Sequence, residues 1–136
     1  MTTSPGALTV LSDDECWALV EGQRPRLGRI GFRHDDATVI YPMNYETADR
    51  VVYLRSEPTS ELATAVDDQN VAFEVDDVDL DWERGWSVLL QGRLHRVVDL
   101  AELERHRELR LRTWAQGDRL HLLRLDPTHI SGRRLG

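Results

Sequence analysis

Residues 53–62, Y-L-R-S-E-P-T-S-E-L, carry the residue types of a phosphate site. Arg55 offers a guanidinium, and Ser56, Thr59 and Ser60 offer hydroxyls. They lie where a strand-like run gives way to a helical one, so main-chain N–H groups stand nearby without helix partners. Plain capping of a short helix explains the same residues, and both readings stand. Two further segments carry chemistry. P-M-N-Y, residues 42–45, ends a strand-like run on the amide of Asn44. G-W-S-V, residues 85–88, opens another. There Trp86 can cover a planar ring and Ser87 can bond a heteroaromatic edge. Trp86 serves equally well as an apolar plug at a barrel end.

Other chemistries are excluded by what is missing. All 17 basic residues are Arg. Without Lys there is no Schiff-base enzyme of the pyridoxal-phosphate kind and no standard P-loop NTPase. Cys16 is the single cysteine, so no intramolecular disulfide or multi-Cys zinc site can form. The five His lack the spacing of a helical zinc motif. The acidic run 74–83 lacks the Gly and terminal Glu of an EF-hand loop. No G-x-S-x-G or G-x-G-x-x-G occurs. We therefore assign no catalytic residue and no metal ligand. The formal charge of −7 and pI near 5.2 argue against nucleic acid and anionic membranes as partners. The opening residues do not read as a signal peptide, and a cytoplasmic protein is expected.

Positioning these residues requires strands. Residues 1–8 read as a flexible N-terminal tail and 9–136 as a single domain. Ser12 and Glu15 form a capping box, and Cys16, Leu19 and Val20 make an apolar stripe behind it. Alternating runs at 27–32, 38–45, 51–56 and 71–75 predict strands, followed by a long strand at 85–98. Residues 58–69 predict a helix with Leu62, Ala63 and Val66 inward. Residues 76–84 are acidic and predict a solvated loop. A third helix is expected from Asp99 through Trp114, with Leu100, Leu103, Leu111 and Trp114 on its apolar face and a Glu108/Arg112 pair. A last strand or two follows from residue 120. The first three strands are linked too tightly for parallel crossovers, so the sheet is antiparallel. Six or seven strands in this length predict a small barrel, mainly β with flanking helices.

Taken in order, LSDDECWALV, RLGRIGF, YPMNY, YLRSEPTSEL, VAFEVDD, GWSVLLQGRLHRV and RLDPTHISGRRL resemble the pyridoxamine 5′-phosphate oxidase-like family. The resemblance is to its branch related to nitroimidazole-resistance proteins and actinobacterial flavin/deazaflavin oxidoreductases. It implies a six-stranded antiparallel split β-barrel of the FMN-binding type. It also implies a homodimer with cofactor sites between subunits, acting by hydride transfer on a small-molecule substrate. The flavin ring would lie along Asn44, Leu54, Trp86 and Ser87, and Arg55, Ser56 and Ser60 would hold the phosphate. Trp86 and Trp114 are expected at or near the dimer interface.

There is one departure from the family pattern: Thr59 stands where Gly is usual, and Glu61 where a phosphate-binding Lys is usual. FMN would then be weakly held, be held by an Arg from elsewhere, or be absent, leaving a non-catalytic split barrel with a decayed phosphate site. Coenzyme F-420 ranks behind FMN, because an acidic chain without Lys is a poor surface for its acidic tail.

Overall fold

The computed structural model describes residues 7–56, 61–65, 68–106 and 121–136. The chain order is β1 (Leu8–Val10), α1 (Asp13–Gly22), β2 (Leu27–His34), β3 (Ala37–Asn44), β4 (Glu46–Ala48) and β5 (Val51–Ser56). Then come α2 (Glu61–Ala65), β6 (Gln69–Asp79), β7 (Arg84–Arg96), α3 (Leu100–Arg105) and β8 (His121–Leu135).

Period-two alternation selects the inner face. In β2, Gly28, Ile30 and Phe32 are buried between exposed Leu27, Arg29 and Arg33. In β7, Val88, Leu90, Gly92 and Leu94 are buried in the same way. Phe73, Val75, Val52, Leu54, Leu123 and Leu125 complete one cluster inside the curled sheet. Each such side chain contributes roughly 1.5–3 kcal/mol on burial. The antiparallel order is β3-β2-β6-β7-β8-β5-β4, with β1 added to β8. The six long strands make the split barrel; β1 and β4 are three-residue additions.

The capping box forms as expected. Glu15 N–H donates to Ser12 Oγ at 3.2 Å, and Ser12 N–H donates to Glu15 Oε1 at 3.0 Å. It starts α1, whose Cys16, Trp17 and Val20 are buried against the barrel. Cys16 is therefore a core residue, and burial raises its thiol pKa.

Two expectations change, and two helix expectations run on beyond the described residues. Leu8 is not tail: it pairs with Leu135 in β1. Residues 1–6 lie outside the described residues. The acidic stretch is not a loop but a hairpin, because its acids alternate with Val78, Leu80 and Trp82 at strand period; pairing continues to Asp79 opposite Arg84. Helix α2 spans five residues, and Val66 lies outside the described residues. Helix α3 is described to Arg105, so Glu108, Leu111, Arg112 and Trp114 also fall outside.

Where β7 meets β8 a bulge falls between Gln91 and Gly92. A Cβ on Gly92 would lie 2.0 Å from the carbonyl oxygen of Asp126, which explains the glycine. On the outer side, α3 rests on a smaller cluster of Tyr53, Val97 and Leu122.

Candidate functional site: a seam and a cleft

The sheet ends at β3 on one side and at the β4–β5 pair on the other. Among the described residues no ladder joins β3 to β5, so a seam runs between them. Glu46 pairs with Tyr53. Asn44 lies two residues before Glu46, and Leu54, Arg55 and Ser56 follow Tyr53. Asn44, Leu54, Arg55 and Ser56 therefore border one seam. Beyond Tyr53, the described strand pairing of β5 is with β8.

Strand alternation divides these residues between two faces. Leu54 is fully buried in the barrel interior, so only its main chain can line a groove. Ser56, 6% exposed, shares that inner face and sits opposite His121. Arg55 lies on the outer face, half-buried, and forms no ion pair among the described residues. Asn44 commits one amide hydrogen to the carbonyl of Arg26 at 3.2 Å. Ser60 and Thr59 lie outside the described residues.

Glu61 opens α2, and its carboxylate accepts a hydrogen bond from the Tyr41 hydroxyl on β3. That bond raises the pKa of the Tyr41 phenol. Leu62 anchors the turn in the core.

Trp86 sits elsewhere. It packs against the barrel core and lines a cleft of about 450 Å³ with Asp77, Asp79, Arg84, Gly85, Arg134 and the last two residues. None of the seam residues lines this cleft. Ser87 is next to Trp86 but faces the other side, level with Asp76 and Arg133. The structure thus brings Asn44, Leu54, Arg55 and Ser56 together and keeps Trp86 and Ser87 apart from them.

Sequence reasoning missed three features. Tyr41, the partner of Glu61, lies in the quoted Y-P-M-N-Y motif but three residues from Asn44. Arg134 meets Trp86 only through the β7–β8 register, and Arg84 joins them from two residues earlier on β7. On the outer face of the sheet, Arg29 stands 3.3 Å from both Glu74 and Asp76. One cation serves two carboxylates there. Partial burial, then the hydrogen bond and charge of Asp76, push Glu74 up to about 7. Its alternation within V-A-F-E-V-D was the available signal.

The model for the pyridoxamine 5′-phosphate oxidase family matches residues 12–134, and the chain belongs to that family. It is similar to the FAD-binding protein of Mycobacterium smegmatis, at 37% identity and a TM-score of 0.81, covering 94% of this chain and 100% of that one. An FAD-binding protein of Mesorhizobium loti shares the fold at 21% identity and a TM-score of 0.74, covering 95% and 99% of the two chains. An uncharacterised protein of Mycobacterium tuberculosis is 28% identical over 113 residues, which are 79% of this chain and 74% of that protein. The antiparallel split barrel expected from sequence is thus the fold observed. No helix among the described residues is long and apolar enough to cross a membrane.

Asked whether these residues suit a flavin, the donor set answers in two halves. Arg55, on the outer face beside the seam, suits a phosphate. Trp86 and the cleft beside it suit a planar ring, with a volume in the range of small-molecule sites. Each half fits, and one chain does not unite them.

Proposed function

We propose that this protein binds a flavin and uses it to move a hydride to or from a small organic molecule. The observation that carries this reading is the 37% identity, over 94% of the chain, to a protein named for FAD binding. FAD is accordingly the flavin proposed, ahead of the FMN expected from sequence. Nothing in the seam favours the acidic tail of coenzyme F-420, since β5 and α2 together offer only Arg55 as a cation.

We further propose that the working unit is a homodimer, each site built from the seam of one copy and the Trp86 cleft of its partner. Support comes from the separation of the two halves within one chain. The flavin, when bound, supplies the hydride chemistry at its ring. The chain's own residues bind and shield. Arg55 neutralises phosphate charge through a charge-assisted hydrogen bond. Trp86 covers one ring face and keeps water from it, Asn44 supplies a polar edge at the seam, and Ser87, which faces away from the cleft, is given no part in it. No side chain is assigned as acid or base. The cytoplasm is the proposed compartment, in keeping with a lone buried thiol.

Purified protein should be yellow, and the cofactor released on heating should be identified by mass as FAD. A colourless protein that quenches neither FAD nor FMN fluorescence on titration would end this reading.

A further inference from the structure

We propose that Glu61, held in place by Tyr41, is a specificity residue that selects FAD over FMN. The inference rests on the flavin reading above and assigns a role to a residue that reading does not use. Four features carry it.

First, Glu61 is fixed rather than free. Its main chain opens α2, Leu62 beside it is buried in the core, and its carboxylate takes the Tyr41 hydroxyl as donor. The charge is therefore pinned across the seam between α2 and β3. Second, it is exposed at the seam mouth, where a ligand extending out of the seam would pass. Third, the sequence running into α2 is poor in cations. The segment from Arg55 to Glu61 reads R-S-E-P-T-S-E, one cation against two carboxylates. Fourth, the phenol of Tyr41 is held protonated by this bond, so the pair presents a carboxylate with further acceptor capacity and no cation.

The two flavins differ at this point. The terminal phosphate of FMN is a monoester carrying about −1.5 to −2 charges at neutral pH. The diphosphate of FAD carries a similar total, but as one charge on each of two phosphates joined by an anhydride bond, and beyond it come the ribose hydroxyls of the adenosyl half. A carboxylate beside the first phosphate meets up to two charges in FMN and one in FAD, and it accepts hydrogen bonds from the ribose hydroxyls that only FAD carries, as acidic residues do in dinucleotide sites. The same side chain thus penalises FMN and rewards FAD.

The test is to titrate FAD, FMN and riboflavin, by flavin fluorescence, into the wild-type protein and into Glu61→Gln and Glu61→Lys. Thermal melts confirm that both variants fold. Wild type should bind FAD at least tenfold more tightly than FMN, a difference of about 1.4 kcal/mol. Glu61→Lys should lower that ratio at least tenfold, mainly by strengthening FMN, with a gain that shrinks as salt rises. Glu61→Gln should lower it severalfold, and riboflavin, which has no phosphate, should bind all three proteins alike. A wild type that binds FMN as tightly as FAD overturns the proposal and leaves the flavin reading intact. So does a ratio that neither substitution moves. Failure of wild type to bind any of the three overturns both.

Discussion

Arg55 and Glu74 are two charges with opposite consequences. Arg55 has no carboxylate partner among the described residues, so removing it strands nothing. Arg55→Ala should lower flavin affinity by about 1.5–3 kcal/mol, the worth of one charge-assisted hydrogen bond, and leave the melting temperature nearly unchanged. Unchanged affinity in the folded variant would remove Arg55 from the site. Glu74 is the reverse case, a charge the fold tolerates poorly. Its pKa is raised from 4.5 to about 7 by partial burial and by Asp76. Between those values the folded protein binds a proton that the unfolded chain has released, so stability falls as pH rises through that window. Glu74→Gln should therefore match wild type near pH 4.5 and be the more stable above pH 7, with the gap opening in between. A gap that does not vary with pH in thermal melts would show that Glu74 is not perturbed. At this scale the sequence disclosed residue types but not faces. Alternation alone puts Arg55 opposite Leu54 and Ser56, and only the register shows that they border the seam.

Among the elements, α3 is the one held most by polar groups. Tyr53 donates its hydroxyl hydrogen to Glu102 Oε2 at 2.9 Å, and the hydroxyl oxygen lies 3.1 Å from His106 Nε2. Arg124 pairs with the same Glu102 carboxylate, which is 8% exposed, and also with Asp126. Burial first, then the bond to Glu102, push the Tyr53 phenol up to about 12, so it remains a donor at any working pH. Tyr53→Phe keeps the ring in its cluster and deprives Glu102 of one of two donors. It should cost about 1–2 kcal/mol of stability and loosen α3 before the barrel, seen as faster amide exchange across Leu100–Arg105. Uniform loss of protection in the barrel strands instead would place Tyr53 in the main core. The start of α1 was legible because a capping box is local chemistry between residues three apart. The 76–84 hairpin was not, since its run of acids hid an alternation that strand pairing with Arg84 and Gly85 makes plain. Neither was the Tyr53–Glu102–Arg124 network, whose members come from three distant segments.

For the whole molecule, tight links and strand count were enough to indicate a small antiparallel barrel. They did not reveal where it opens. The seam between β3 and β5 follows from pairings between segments as distant as Leu54 and Leu123, which no local pattern encodes. The same distances separate the proposed phosphate half-site from the proposed ring half-site, and they make the proposed dimer testable by mixing. Light scattering should first give twice the chain mass of 15.6 kDa. Arg55→Ala then damages one half and Trp86→Leu the other; leucine keeps an apolar plug at the barrel end while removing the ring platform. Each variant alone should bind flavin poorly. Co-expressed in equal amounts, half of the dimers are mixed, and each mixed dimer holds one site with both halves intact and one with both damaged. About one site in four should then bind FAD with wild-type affinity, by the two-fold symmetry of the assembly. If each site were built within a single chain, every site would keep one defect and mixing would restore none. A titration of the co-expressed protein equal to the average of the two variants would therefore refute the shared site, even with the dimer itself intact.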